Sequence, residues 1–211
     1  MDAGRALGEL VAACHGLSGT VVVALPRGGV PVGAQVARRL GAPLVAMPVG
    51  KVGAPGREEL AVGAVAPGGV TVLNDDVIAA LHLGPDEVAE LVSKTAAKVA
   101  HQVELYGAGG QGVVLSGRCV VVVDDGLATG ASMRASLIAV RRLQPRRLVL
   151  AVPVAAPEAL ASLASLLDEE VCVVRPERME AVGAWYRDFS QTTDAEVAGF
   201  LAELGSERPP R

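Results

Sequence analysis

The stretch Val120-Val121-Val122-Val123-Asp124-Asp125-Gly126-Leu127-Ala128-Thr129-Gly130-Ala131-Ser132 decides how the rest of the chain is read. Four consecutive valines describe a strand buried on both faces, the kind found at the centre of a parallel sheet. Two acids follow at its carboxyl end, where open α/β sheets bind ligands. The Gly/Thr/Ser loop then leads into a helix, whose first N–H groups, with the hydroxyls of Thr129 and Ser132, suit a dianionic phosphate. Successive strand residues face opposite ways, so Asp124 and Asp125 reach one ligand only where the chain leaves the extended conformation, and Gly126 is expected to permit that. Adjacent carboxylates repel a phosphate unless they meet hydroxyl donors, a metal ion or developing positive charge. A ribose diol supplies the hydroxyls.

Working outward, Val21 to Leu25, Leu44 to Val49, Leu148 to Val152 and Glu170 to Val174 join Cys119 to Asp124 as strands. Helical stretches separate them: Val32 to Leu40, closed by Gly41, then Ala131 to Leu143 and Pro157 to Leu167. Alternation of this kind implies an α/β fold with an open, mainly parallel five-stranded sheet flanked by helices. An insertion over residues 51–112 interrupts it. There Leu60 to Val65 and Val70 to Leu73 flank Ala66-Pro67-Gly68-Gly69, a hairpin signal, and a long helix follows with Val88, Leu91, Val92, Val99 and Val103 at helical spacing. The segment Arg175 to Phe189 holds Trp185, Tyr186 and Phe189 and forms a small lobe at the sheet's edge. No internal repeat is present.

The 211 residues, 51% hydrophobic with a net charge of −4, describe a globular protein of one domain with room for that lobe, and no overall field draws it to nucleic acid or an anionic membrane. Cys14, Cys119 and Cys172 are odd in number and far apart, which favours reduced thiols and a cytoplasmic setting. Asp2 and Glu9 argue against a signal peptide. Pro153, Pro157 and Glu158 interrupt the most apolar stretch, Leu148 to Leu167, so no membrane span is expected. His15, His82 and His101 lack metal-ligand spacing. Arg141, Arg142, Arg146 and Arg147 cluster at a helix C-terminus, where cations are favourable.

A second loop, Leu25-Pro26-Arg27-Gly28-Gly29-Val30-Pro31-Val32-Gly33, also opens at a strand's carboxyl end. Ala34 and Gln35 stand where a nucleotide-triphosphate loop needs Lys and Ser/Thr, and no G-x-G-x-x-G occurs. What remains is Arg27, able to fork onto anion oxygens, beside Gly28 and Gly29, where backbone can approach closely. Lys51 follows the second strand and is a further cation candidate.

The first loop resembles, almost without gaps, the 5-phosphoribosyl 1-pyrophosphate (PRPP) signature of the type I phosphoribosyltransferases, and the chain is similar to a bacterial subgroup of these. The resemblance implies that Asp124 and Asp125 bind the ribose hydroxyls and that Gly126, Leu127, Ala128, Thr129, Gly130, Ala131 and Ser132 cradle the 5′-phosphate. It implies that Arg27, Gly28, Gly29 and Lys51 bind pyrophosphate, the loop at Arg27 often carrying a non-proline cis peptide. Asp124, Asp125 and Arg27 would be the catalytic groups. Magnesium would be held through PRPP rather than by a protein site of its own, with Asp124 or Asp125 within its reach. Hypoxanthine-guanine enzymes place an Asp at the position of Ala128, whereas adenine enzymes and several others have Ala, so proton transfer from that site is lost here. Glu58 and Glu59 are alternative proton carriers.

By the same resemblance residues 1–174, with the insertion, form the core, and residues 175–211 form a hood with a C-terminal helix, residues 1–16 being able to join the hood. Trp185 or Tyr186 would meet the acceptor base, purine ahead of pyrimidine. Either Val52 to Ala61 or Gly107 to Gly112 would be the flap that excludes water. A homodimer is expected. The implied activity is transfer of 5-phosphoribosyl from PRPP to a nitrogenous base with release of pyrophosphate. The alternative on the same fold is a non-catalytic PRPP- or nucleotide-sensing regulator. A dinucleotide- or adenosylmethionine-dependent enzyme would share the sheet but not the Asp-Asp-Gly loop.

Overall fold

The computed structural model describes residues 2–14, 16–107 and 113–205, apart from the side chain of Glu59. His15 and most of the glycine run 107–112 therefore lie outside the described residues, as does the end of the hood segment beyond 205.

Five parallel strands form the main sheet in the order β2-β1-β6-β7-β8: β1 (Thr20–Ala24), β2 (Leu44–Ala46), β6 (Cys119–Val123), β7 (Arg147–Val154) and β8 (Glu169–Val174). The valine run is the middle strand, and every residue of β6 is buried. Its alternation assigns each side chain to a face. Val120 and Val122 join Val21, Val23, Leu148 and Leu150 in one apolar cluster. Val121 and Val123 join Val22, Ala24, Val149 and Ala151 in another.

Helices cover both faces. The second cluster takes in α1 (Asp2–Ala12), α2 (Gly29–Leu40) and α7 (Asp194–Leu204), through Leu7, Val11, Val30, Val36, Val197 and Leu201. Gly41, with φ +62°, ends α2 in the left-handed conformation that glycine adopts without strain. The first cluster takes in α5 (Ala131–Arg142) and α6 (Pro157–Leu163), through Met133, Leu137, Leu160 and Leu163. No described helix is long and apolar enough to cross a membrane.

The insertion differs from the sequence expectation. It is a three-stranded antiparallel sheet, β3 (Gly50–Ala54), β4 (Arg57–Ala66) and β5 (Val70–Leu73), rather than a two-stranded hairpin. The expected second strand is shorter than its apolar run, since β2 stops at Ala46. Met47 still donates to the Ala24 carbonyl at 2.9 Å, but Pro48 has no N–H with which to extend the ladder. The chain re-enters a strand at Gly50, so Lys51 lies within β3, opposite Ala64, rather than in a loop. After α3 (Asp75–Ala80), helix α4 (Pro85–Gly107) packs Leu91, Val92 and Ala96 on Val52, Ala54, Val62 and Val65. The opposite face of this small sheet, with Ala64, Ala66 and Val70, rests on the α5 side of the core.

Three of the four arginines clustered at and just after the end of α5 are engaged structurally. Arg141 pairs with Asp168 at 3.0 Å, Arg147 with Glu169 at 2.6 Å, and Arg146 donates to the carbonyls of Gly16 and Ser18.

Candidate active site

From β1 the chain turns to β2 on one side, whereas β6, β7 and β8 extend the sheet on the other. Strand order therefore reverses between β1 and β6, and a crevice opens beyond their carboxyl ends. The two loops singled out from the sequence leave those two ends. Leu25 N–H still bonds the Val123 carbonyl at 3.0 Å, so the loops begin from one ladder.

Beyond that point they interlock. The Pro26–Arg27 peptide is cis, and Gly28 takes ordinary right-handed helical angles, φ −60° and ψ −35°. Its missing side chain is a matter of space: a Cβ on Gly28 would lie 1.9 Å from Asp125 Oδ2. A Cβ on Gly29 would lie 2.9 Å from both the Cα and Oδ1 of Asp124. The glycine pair thus lets the acid pair approach the arginine loop.

Gly126 departs from the sequence reasoning in a similar way. It is not among the positive-φ glycines, so it is not needed for an unusual bend. A Cβ there would lie 2.5 Å from Val182 Cγ1 and 3.0 Å from Val154 Cγ1, so the residue is small because the hood packs on it. The left-handed position in this loop is Gly130, φ +82°, immediately before α5. No side chain caps α5, and Ala128 and Thr129 are exposed beside its start, which leaves the positive end of the helix dipole open to solvent.

Both acids are half-buried. Burial, and then the charge of Asp125, hold the Asp124 carboxyl well above the usual carboxylate range, although its Oδ1 accepts from the Asp125 N–H at 2.9 Å. Burial likewise raises Asp125, opposed by the N–H groups of Gly126 and Asp125. A pair in this state favours hydroxyl donors or a cation as its partner.

A cleft of about 610 Å³ contains Arg27, Gly28 and Asp125, with Tyr186 and Phe189 from the segment after β8 and Glu196 and Phe200 from α7. Ala3 and Gly4 of α1 also reach it. Asp125 joins this cleft to the loop 126–132. Lys51, Trp185 and Glu58 are not part of the described cleft wall; Lys51 and Glu58 are exposed residues of β3 and β4, and Trp185, 47% exposed, ends a short 3-10 turn, Val182–Trp185. A second cavity of about 420 Å³, with Val45, Met47, Leu115 and Leu143, brings together apolar side chains and no acid.

Two participants escaped the sequence reading. Asp194 Oδ1 lies 3.8 Å from the Arg27 guanidinium and accepts a hydrogen bond from the buried Tyr106 hydroxyl. Burial, with that bond, pushes the Tyr106 phenol up to about 12, so it remains a donor. The legible signal was Thr193-Asp194-Ala195-Glu196: Thr193 and Glu196 form a reciprocal capping box at the start of α7. It locates the helix start, but nothing in it names Arg27 as a neighbour.

Fold and cleft define the class: an open parallel α/β protein whose acid pair and arginine-glycine loop face each other at the switch point of the sheet. The chain belongs to the phosphoribosyl transferase domain family, whose model matches residues 1–165. It is 42% identical over 200 residues to a Mycobacterium tuberculosis protein provisionally named a phosphoribosyl transferase, in strains CDC 1551 and H37Rv. That alignment covers 95% of this chain and 45% of the relative, so the chain spans about half the length of the curated relatives it matches. The crystal structure of the TT1426 protein from Thermus thermophilus is similar at 42% identity and a TM-score of 0.80, over 97% of this chain and 96% of that one. The AQ2163 protein from Aquifex aeolicus, 15% identical, reaches a TM-score of 0.50 over 85% of this chain and 74% of its own, a likeness of fold alone.

Proposed function

We propose that the chain transfers a 5-phosphoribosyl group from PRPP to a nitrogenous base, a purine first among the candidates, with release of pyrophosphate. The observation that carries this reading is the interlock of Gly28 with Asp125, which sets the arginine loop and one acid of the pair on one cleft. Family membership supports the reaction class.

The 5′-phosphate would rest on the N–H groups of residues 126–132 at the start of α5, with the Thr129 and Ser132 hydroxyls beside it. Asp124 and Asp125 would accept from the ribose hydroxyls. As the bond from C1′ to the pyrophosphate oxygen breaks, its electron pair leaves on that oxygen and positive charge grows on the ribose, which the acid pair favours. Arg27 would hold the departing pyrophosphate with the Gly28 and Gly29 backbone, and Lys51 would approach it from β3. The base nitrogen then bonds C1′ and gives up its proton. Ala128 has no group to receive it; Glu58 and Glu59 are the candidates.

Among the described residues no three His, Cys, Asp or Glu side chains converge as a metal site. The acid pair fits a magnesium ion ligated by one or two carboxylates and otherwise by substrate oxygens and water. Bound there, magnesium would neutralise pyrophosphate charge.

Residues 1–174 would then serve as the PRPP-binding core, with 175–211 as the hood over the acceptor, where Trp185 or Tyr186 would meet the base, Tyr186 being the one of the two on the cleft wall. Of the two flap candidates, Val52 to Ala61 corresponds to most of the β3–β4 hairpin. The pair of chains expected from the family would make a homodimer.

The test is pyrophosphate release from Mg-PRPP across a panel of purines, pyrimidines and amines. Release that depends on one of these bases is expected. Saturable PRPP binding with no release for any of them would instead support a PRPP-sensing regulator.

A further inference from the structure

The peptide unit that carries Asp125 is held in an unusual manner. On either side of it the chain is tied into the sheet: the Val123 carbonyl accepts from Leu25 N–H at 3.0 Å, and Leu127 N–H reaches the Val154 carbonyl at 2.9 Å. Asp125 itself has side-chain partners instead. Its N–H bonds Asp124 Oδ1 at 2.9 Å, and its carbonyl accepts from the hydroxyl of Tyr186.

Tyr186 belongs to a small, self-packed segment. The ring of Phe189 lies 5.2 Å from that of Tyr186, tilted by 45°, and presses on Gly183, where a Cβ would meet Phe189 Cδ1 at 2.8 Å. Val182 in turn occupies the space a side chain on Gly126 would need. The segment therefore touches the acid loop twice, once by a hydrogen bond at residue 125 and once by packing at residue 126.

We propose that Tyr186 is a positioning residue for the ribose site: its hydroxyl fixes the Asp125 carbonyl, and thereby the carboxylate, so that hood and acid pair move as one unit. This rests on the assignment of Asp125 to the ribose hydroxyls. Its consequence is coupling across the cleft. A base that orders the hood tightens the PRPP site, and PRPP, by reciprocity, tightens the hood. The ring of Tyr186 stays available to the acceptor while its hydroxyl serves the other substrate.

The variant that separates the two roles is Y186F, which keeps the ring and removes the hydroxyl. Binding of Mg-PRPP would be measured by calorimetry without any base, for wild type, Y186F and D125N, with thermal melting of each. Y186F is expected to bind PRPP about tenfold more weakly, the scale of one lost hydrogen bond to a positioned group. Its KM for the base should change less than its PRPP affinity. Unchanged PRPP affinity in Y186F, with D125N impaired, would overturn the positioning role alone, leaving Tyr186 as packing or as a ring for the base. Unchanged affinity in both variants would overturn the ribose assignment and the positioning role with it.

Discussion

Asp124 and Asp125 sit where ionisation is costly, and the sign of that cost is measurable. Their folded pKa values are raised above the ordinary 3.8, so over the window above 3.8 the folded chain binds more protons than the unfolded one. The pair's contribution to stability therefore falls as pH rises through that window. Asp124→Asn, neutral at that position throughout, lacks Asp124's share of the fall. Its melting temperature should exceed that of the unliganded wild type at about pH 7.5, with the gap closing on acidification. An equal gap at all pH values would contradict the raised pKa. Gly28→Ala probes the same place sterically. The atom displaced is the end of the Asp125 side chain, so the loss of stability should be on the order of 1 kcal/mol, while PRPP affinity measured by calorimetry should fall by at least about tenfold. Sequence reasoning singled out Gly28, Gly29 and Gly126 but attributed them to approach of a ligand or freedom of the backbone. Each is small because another protein segment fills the space, and contact between segments so distant along the chain leaves no trace in local sequence.

At the scale of elements, strands and helices of the core were legible because each is a short run with a clear end: the β-branched runs, Gly41 after α2, Pro157 at the start of α6. Strand β3 was not. Gly50 and Gly53 dilute its alternation, and both are glycines for tertiary reasons: a Cβ on Gly50 would meet Thr95 of α4 at 2.5 Å, and one on Gly53 would meet the Glu58 carbonyl at 2.8 Å. The hood was recognisable from its aromatics, yet its seat on the acid loop was not. Gly126→Ala tests that seat. It should push Val182 away and expose the hood, seen as a red shift and stronger quenching of Trp185, the single tryptophan of the chain. Unaltered Trp185 fluorescence would mean that the hood does not bear on residue 126.

Over the whole molecule, the pattern of alternating strands and helices indicated the sheet, and the sheet's switch point between β1 and β6 explains why two loops far apart in the chain form one cleft. The Arg27–Asp194 contact closes the same cleft from α7. The acceptor was not legible, because the cleft wall beyond Asp125 comes from α1, the hood and α7: α1 and α7 are placed by packing on the core, and the hood by its contacts with the acid loop, none of which is local in sequence.

The most direct test is base-dependent pyrophosphate release from Mg-PRPP by wild type and by Asp125→Asn, each folded as judged by melting. The expected result is turnover with at least one base and a loss of roughly 100- to 1,000-fold in the variant, the usual effect of removing one aligned transition-state partner. Turnover in Asp125→Asn at the wild-type rate would contradict the assignment of the acid pair to the reacting ribose.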